Sequence, residues 1–408
     1  MYIQSVEVLD KRFKMGEGAG SDATHTNPQY SYAVCVLKTD ASIEGAGLAF
    51  TLGAGNDLVC KAIHYLSVKL RGAEIEALMA DFGTTYRQLA DEPSLRWLGP
   101  HKGVIHLALA AIVNACYDLW AKSRRVPLWK LLLDLSPEEL VNTLDFSYLE
   151  DELTREQAID LLTEQFKTRE CRNAVLTTGY KGYDTSVGWF NFSDELIVEK
   201  TKQALDKGFT ALKLKVGSDD PLRDLRRAAL IRHTAGNSAT IMLDANQKWN
   251  VPQALDICQR LGSINPYWIE EPTHPDDVFG HQAIARAIAP FKVATGEHIP
   301  NKVIFKNFLQ AKAMDFCQVD AVRVGGVSEF LTISLLSKKF GIPVVPHVGD
   351  MGQIHQHLVL FNHIGMGHEN LFLEYIPHLR PYFVNPANIV DGFYQVPQEA
   401  GSSSDLKI

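Results

Sequence analysis

Cysteine is scarce in this chain: six in 408 residues, at positions 35, 60, 116, 171, 258 and 317, with no CxxC pair and no finger-like spacing. That argues against a disulfide-stapled scaffold or a zinc finger and leaves buried free thiols, with Cys116 and Cys317 inside apolar segments. No run approaches the roughly eighteen consecutive apolar residues that mark a membrane span. The first residues, Met1-Tyr-Ile-Gln-Ser-Val-Glu-Val8, show neither a basic flank nor an apolar stretch of leader type. A soluble, cytoplasmic protein with no membrane partner is expected. A basic block is also missing, since 40 Lys and Arg are scattered among 48 Asp and Glu for a net charge of -8. Nucleic acid is therefore not an expected partner. Gly53-Ala-Gly-Asn56 lacks the Gly-Lys-Ser/Thr of a phosphate loop, so no nucleotide is assigned to it.

What the chain has in abundance is short apolar runs that deliver one ionisable residue near their end. They are Ala211-Leu-Lys-Leu-Lys215, Ile241-Met-Leu-Asp244, Tyr267-Trp-Ile-Glu270, Val293-Ala-Thr-Gly-Glu297, Phe316-Cys-Gln-Val-Asp320, Val344-Val-Pro-His347 and Leu371-Phe-Leu-Glu374. The delivered residues recur every 23 to 29 positions, the length of one strand, one crossover helix and two loops. Strands buried on both faces read as continuous apolar runs, and a charge at such a strand's end must meet solvent, a metal or a ligand. A lone strand-end carboxylate is more often a helix cap. Seven in register point to the mouth of a parallel β/α barrel, where active sites are built.

The length and the 46% hydrophobic content suit a barrel plus a smaller domain. Residues 1 to 52 predict a three-stranded meander (Ile3 to Val8, Ser31 to Leu37, Gly47 to Thr51), broken by the glycine-rich loop Gly16 to Asp22. Asp57 is the expected cap of a helix from Leu58 to Leu70. Gly103 to Trp120 is apolar almost all round, as in a helix buried between layers, and Asp118 reads as a structural partner of Lys122 four residues on. Ser136-Pro-Glu-Glu139 and Thr154-Arg-Glu-Gln157 mark helix starts, and the first barrel strand is expected near Gly182 to Ser186. The fold class is α/β: a modified TIM barrel, (β/α)7β, over residues 128–380, with an α+β capping domain over residues 1–127. Residues 381–408, with a β-like run Gly392 to Val396, are expected to return to the capping domain and complete it.

Asp244, Glu270 and Glu297 end three successive strands about 4.8 Å apart, so their carboxylates can meet one ion. Oxygen ligands alone favour Mg2+ over Zn2+, and without a cation they would raise one another's pKa. Asn246 shares a face with Asp244 and is placed to orient these ligands, whereas Glu271 should point away from Glu270. Lys213 and Lys215 aim into the barrel on one side, where a Lys beside a cation becomes a base. His347, with Asp320 behind it, forms an acid/base pair on the other side. A lone Lys-x-Lys reads as a solvated edge strand and a lone His as a satisfied core residue. Together they suit removal of a proton next to a metal-clamped carboxylate, and Glu374 could donate to the same oxygens.

These residues resemble the mandelate racemase branch of the enolase superfamily, most closely its L-fuconate and fungal L-galactonate dehydratases. The resemblance is carried across nearly the whole chain by Gly20-Ser-Asp-Ala23, Phe50-Thr-Leu-Gly-Ala-Gly-Asn-Asp57, Arg96-Trp-Leu-Gly-Pro100, Lys213-Leu-Lys-Val-Gly217, Asp244-Ala-Asn-Gln247, Trp268-Ile-Glu-Glu-Pro-Thr273, Thr295-Gly-Glu-His298 and Asp320-Ala-Val-Arg-Val-Gly-Gly326. It implies Mg2+ on Asp244, Glu270 and Glu297, a base at Lys215 assisted by Lys213, an acid/base at His347 paired with Asp320, and stabilisation of the carboxylate side by Glu374. It also implies that glycine-rich loops near residues 16–26 and 51–57 close over the substrate. Ser21, Asp22, Asn56, Asn246 and His298 are then candidate substrate contacts. The implied activity is dehydration of a small L-aldonate to a 2-keto-3-deoxy acid, in a homo-oligomer. The rival activities are a racemase or cycloisomerase, or a non-catalytic binding protein on the same barrel. One segment departs from the family pattern. After His347 the dehydratases continue with glycines and small residues, but this chain has Val348-Gly-Asp-Met-Gly-Gln-Ile-His-Gln-His357. His355 and His357 are expected either to touch substrate or to be exposed.

Overall fold

The structure, a computed structural model, describes residues 1–369 and 371–407. Three antiparallel strands come first: β1 (Ile3–Arg12), β2 (Ser31–Thr39) and β3 (Glu44–Thr51). They carry helices α1 (Asn56–Ser67), α2 (Ile75–Ala80), α3 (Phe82–Ala90) and α4 (Gly103–Ser123). The first helix starts earlier than its sequence suggests. Gly55, in the left-handed conformation, holds the cap position, and Asp57 falls within the first turn, where it still favours the positive end of the helix.

Helix α4 is long and apolar enough to cross a membrane, but 89% of its most apolar stretch is buried inside the protein. It lies on β3 because that strand presents Gly45 and Gly47. A Cβ at Gly47 would stand 2.0 Å from the Ala111 carbonyl, and one at Gly45 would stand 2.4 Å from that of Ala115. Asp118 is structural. Its carboxylate takes Lys122 at 2.7 Å, the Ala46 amide at 2.8 Å and the Ser402 amide at 2.7 Å, which ties the C-terminal tail to this helix.

Helices α5 (Leu128–Asp134), α6 (Pro137–Asn142), α7 (Arg155–Phe166) and α8 (Val175–Thr178) lead into the barrel. Ser136 and Thr154 both form complete capping boxes. The barrel then alternates β4 (Tyr180–Gly188), α9 (Asp194–Asp206), β5 (Ala211–Lys215), α10 (Pro221–Ala235), β6 (Thr240–Asp244), α11 (Val251–Gln259), β7 (Trp268–Glu270), α12 (Val278–Ala287), β8 (Lys292–Thr295), α13 (Lys302–Ala311), β9 (Phe316–Cys317) and α14 (Gly326–Lys339). A bridge from Cys317 to Val344 stands for the seventh strand, followed by α15 (Gln353–Ile364) and β10 (Phe372–Tyr375). Strands β4 to β9 pair in parallel in chain order, and β10 closes on β4. This is the (β/α)7β barrel.

The final β-like run does not join the first sheet. Strands β11 (Ile389–Val390) and β12 (Phe393–Tyr394) form a hairpin whose second strand pairs with β4. The return to the N-terminal region comes later, through a bridge from Pro127 to Gly401 and the bonds of Ser402 and Asp405 to α4. No cysteine is in a disulfide among the described residues; Cys35, Cys116, Cys258 and Cys317 are buried as expected, but Cys60 is half-buried and Cys171 exposed.

Strand alternation builds the site in two tiers. Tyr183, Ala211, Met242, Trp268, Ala294, Phe316 and Val345 pack into an apolar floor inside the barrel, with Phe372 against them. Two residues further along each strand or its continuation the same face carries Thr185, Lys213, Asp244, Glu270, Gln318, His347 and Glu374, all buried. The floor excludes water from below, so this polar tier must satisfy its charges internally or with a ligand.

Candidate active site

Three carboxylates dominate the polar tier. Asp244, Glu270 and Glu297 are buried, and each offers an oxygen within 4.8 Å of the others. Asp244 Oδ1 accepts the Asn246 amide at 3.0 Å, and Glu270 Oε2 accepts the Trp268 indole N–H at 3.0 Å. Glu297 Oε2 is buried without a hydrogen bond. Burial, with Asp244 alongside, pushes Glu270 up to about 8 against the opposing pull of Lys213. A hard, all-oxygen set with mutual repulsion and a buried oxygen that makes no hydrogen bond fits a divalent cation of the Mg2+ kind.

Two lysines meet this set from β5. Lys213 Nζ lies 2.6 Å from Glu270 Oε1 and 2.8 Å from Glu374 Oε1, and Lys215 Nζ lies 2.6 Å from Asp244 Oδ2. Burial works to lower both lysines, but Glu270 and Glu374 around Lys213, and Asp244 beside Lys215, raise them instead. Neither is a free amine while those carboxylates are its partners. Each lysine also disfavours a second charge on its neighbour, which opposes this for Lys215. Glu374 Oε1 also accepts from the Thr185 hydroxyl at 2.5 Å, whereas Oε2 has no partner.

His347 stands across the mouth. Its Nδ1 is 2.6 Å from Asp320 Oδ2, and its Nε2 is 3.3 Å from Glu297 Oε2. Burial lowers its pKa, but Glu297 and Asp320 outweigh that and bring it to about 9. Asp320 is held far below the usual carboxylate range despite burial, because His355 and His347 both face it.

A small cavity of about 40 Å3 opens onto Lys215, Glu297, His347 and Glu374. A larger groove of about 940 Å3 is lined by loop residues between Phe13 and Gln29 and by Asn191, Phe192, Ser193 and Leu196, and by none of the acid/base groups; those groups, rather than volume, mark the site. Of the expected contacts, Asp22, Asn246 and His298 line the cavity. Ser21 and Asn56 do not. Ser21 donates to the Gly18 carbonyl and accepts the Asn191 amide, and Asn56 is held by Thr51, Asp10 and Tyr32, so both shape the covering loops instead.

Glu271 also departs from strand alternation. It has a φ of +42°, as Asn246 (+43°) and Gln247 (+62°) have positive φ one strand earlier. This left-handed turn, costly for such residues, swings Glu271 back so that Oε1 meets His298 Nδ1 at 2.8 Å. Further lining residues with a polar atom on the side chain are His25, paired with Asp22 at 3.0 Å, Arg323, Tyr30 and Trp189. They sit in loops or at strand ends with no spacing pattern. His355 and His357 are neither exposed nor at the cavity: both are fully buried on α15, His357 against Ser403 and the Trp129 amide.

Residues 196–407 match the family description Enolase C-terminal domain-like. The human protein named mitochondrial enolase superfamily member 1 is 43% identical over 415 aligned positions, 99% of this chain and 94% of that protein. Its crystal structure superposes with a TM-score of 0.96, covering 100% of this chain and 94% of that one at 42% identity. L-galactonate dehydratase of Hypocrea jecorina is 42% identical over 407 positions, 98% of this chain and 90% of that enzyme. The crystal structure of L-talarate dehydratase from Polaromonas sp. JS666, complexed with Mg and L-glucarate, shares the fold with a TM-score of 0.75 at 23% identity, covering 99% of this chain and 94% of that one.

Proposed function

The chain belongs to the enolase superfamily, and from that premise we propose that it is a Mg2+-dependent dehydratase of an L-configured aldonate, of the L-fuconate, L-galactonate or L-lyxonate kind. It is an enzyme of the hydro-lyase type. The observation that carries this reading is the placing of Lys215 and His347, each with its own carboxylate partner, on either side of the Asp244, Glu270 and Glu297 triad. Asp244, Glu270 and Glu297 would hold the ion. When bound, Mg2+ neutralises negative charge that builds on the substrate carboxylate as the C2 proton leaves.

Lys215 takes the C2 proton. It does so as a neutral amine, a state favoured once Asp244 is engaged as a ligand and the charge of Lys213 remains beside it. Lys213 stays an ammonium between Glu270 and Glu374 and favours the ionised form of both in a water-poor site, against the burial that opposes it. His347, oriented by Asp320 through Nδ1, turns Nε2 towards the cavity and protonates the departing C3 hydroxyl. The C3 hydroxyl leaves as water with the proton from His347 while the C2 proton stays on Lys215, the enol formed tautomerises to a 2-keto-3-deoxy acid by taking a proton at C3, and exchange with solvent restores both side chains. Glu374 stabilises the carboxylate side.

The substrate class is supported by the L-galactonate dehydratase likeness over 98% of the chain. Asp22 and His25 on the covering loop, and Asn246, His298 and Arg323 on the barrel side, would read the distal hydroxyls. The cavity of about 40 Å3 is too small for a six-carbon acid, so the glycine-rich loops near residues 16–26 and 51–57 would have to open for entry. A racemase or cycloisomerase would share the proton removal but keep the hydroxyl count or form a lactone ring. A 2-keto-acid assay over a stereochemically complete set of aldonates and aldarates separates these outcomes.

A further inference from the structure

The segment from Val348 to His357 wraps around Asp320. Gly349 donates its amide to Asp320 Oδ2 at 2.9 Å, beside the His347 Nδ1 bond at 2.6 Å, and the Val322 amide donates to Oδ1 at 2.9 Å. His355, in the first turn of α15, reaches the same carboxylate. Its Nε2 accepts the Ala321 amide N–H at 2.9 Å and lies 3.1 Å from Asp320 Oδ1, and its Nδ1 lies 2.7 Å from Asp350 Oδ1. All three side chains are fully buried. With His347 they line up as Asp350, His355, Asp320 and His347, carboxylate and imidazole alternating towards the cavity.

We propose that His355, backed by Asp350, is a positioning residue for the dehydration step. It fixes Asp320 so that Oδ2 stays on His347 Nδ1 and His347 Nε2 stays aimed at the cavity. This rests on the reading of His347 as the group that protonates the departing hydroxyl.

A helix cap alone does not account for the arrangement. Asp350 already accepts the Gly352 amide at 3.1 Å and the Ile354 amide at 2.6 Å, which serves the start of α15 without any histidine. His355 adds nothing to that cap. It separates two buried carboxylates that would otherwise face each other as like charges, and it touches both the side chain and the following peptide of Asp320. Gly349 makes the wrap possible, because a Cβ there would stand 3.0 Å from Asp320 Oδ2 and 2.8 Å from Val322 Cγ2. Tyr32 of β2 donates to the Gly349 carbonyl at 3.1 Å and ties the N-terminal sheet to the same loop.

The test compares His355→Leu and His355→Gln in full-length, Mg2+-loaded protein. Gln keeps a polar amide that can accept the Ala321 N–H and face Asp320 Oδ1, whereas Leu has no polar atom to do either. For His355→Leu, kcat for 2-keto acid formation should fall about 10- to 100-fold with KM little changed. The summed rate of C2 proton removal, exchange in D2O plus turnover, should stay within about twofold of wild type. His355→Gln should recover most of the loss. A loss of proton removal equal to the loss of dehydration, or no loss of either, would overturn the proposal.

Histidine 15N spectra without substrate supply a second readout. The His347 Nδ1 resonance should be sharp in wild type and His355→Gln and broadened or shifted in His355→Leu. An unchanged resonance in His355→Leu would overturn the positioning role. A changed resonance in a protein that turns over no acid sugar would instead count against the functional reading alone.

Discussion

Lys213 and Glu270 form a fully buried ion pair, Nζ to Oε1 2.6 Å, standing directly on the apolar floor of Tyr183 and Trp268. Glu374 shares the same ammonium at 2.8 Å, so one cation offsets two carboxylates in a dry interior. Removing one partner of such a pair is far more damaging than replacing the whole pair. Lys213→Met should therefore lower stability by about 3 kcal/mol in chelator-treated protein. Bound Mg2+ should offset part of that loss, so the Mg2+-induced rise in Tm should be larger in the variant than in wild type. Equal rises, by thermal melts with Mg2+ and with EDTA, would show that Lys213 and the ion do not share a charge.

The ligand role of Asp244 makes a separate expectation. Asp244→Asn removes a charge from a set of three and also the partner of Lys215. Titration calorimetry should find Mg2+ affinity down about 10- to 100-fold, with activity falling in parallel. Full activity in chelator-treated wild type would remove the ion from the chemistry.

The two acid/base groups can be told apart by exchange. Lys215→Ala should abolish incorporation of solvent deuterium at C2. His347→Asn should keep that exchange while dehydration drops about 100-fold or more. The reverse pattern, read by proton NMR of recovered substrate, would assign the proton to His347.

A fourth expectation concerns the contact between α4 and α14. His106 Nε2 lies 2.6 Å from Glu329 Oε2, both buried. Burial works to raise Glu329, but His106 outweighs it and holds the carboxylate at about 2. A depressed carboxylate contributes stability above its unfolded value, near 4.5, and that contribution is lost as pH falls towards 2. The stability gap between wild type and Glu329→Gln should be about 3 kcal/mol near neutral pH and shrink between pH about 4.5 and 2. A gap independent of pH over that window, by urea unfolding, would show that the pair carries no net charge interaction.

The barrel was legible because its strands are buried on both faces. Each apolar run announced itself, and the residue two positions beyond the floor was the charge that closed it, as with Met242 and Asp244 or Trp268 and Glu270. The His347 and Asp320 pair followed from the same spacing. What escaped had no local pattern. Alternation put Glu271 on the wrong side because it ignores a left-handed turn immediately after the strand. Arg323 and His25 reach the cavity from loops whose paths depend on tertiary contacts. Ser21 and Asn56 lie within the right stretches, but their side chains are spent on the loops' own hydrogen bonds. His355 looked like a loop histidine because the start of α15, set by Gly352 in the left-handed conformation, is what turns it inward.

The most direct test of the dehydratase reading is to incubate the Mg2+-loaded protein with L-fuconate, L-galactonate and L-lyxonate in D2O, beside their D-configured counterparts and diacids such as galactarate, and to identify the products by NMR. Formation of a 2-keto-3-deoxy acid from at least one L-aldonate, abolished in Lys215→Ala, is the expected result. Turnover of only the diacids or only the D-aldonates would contradict the proposed substrate class, and recovery of an epimer or a lactone with no 2-keto acid from any substrate would contradict dehydration itself.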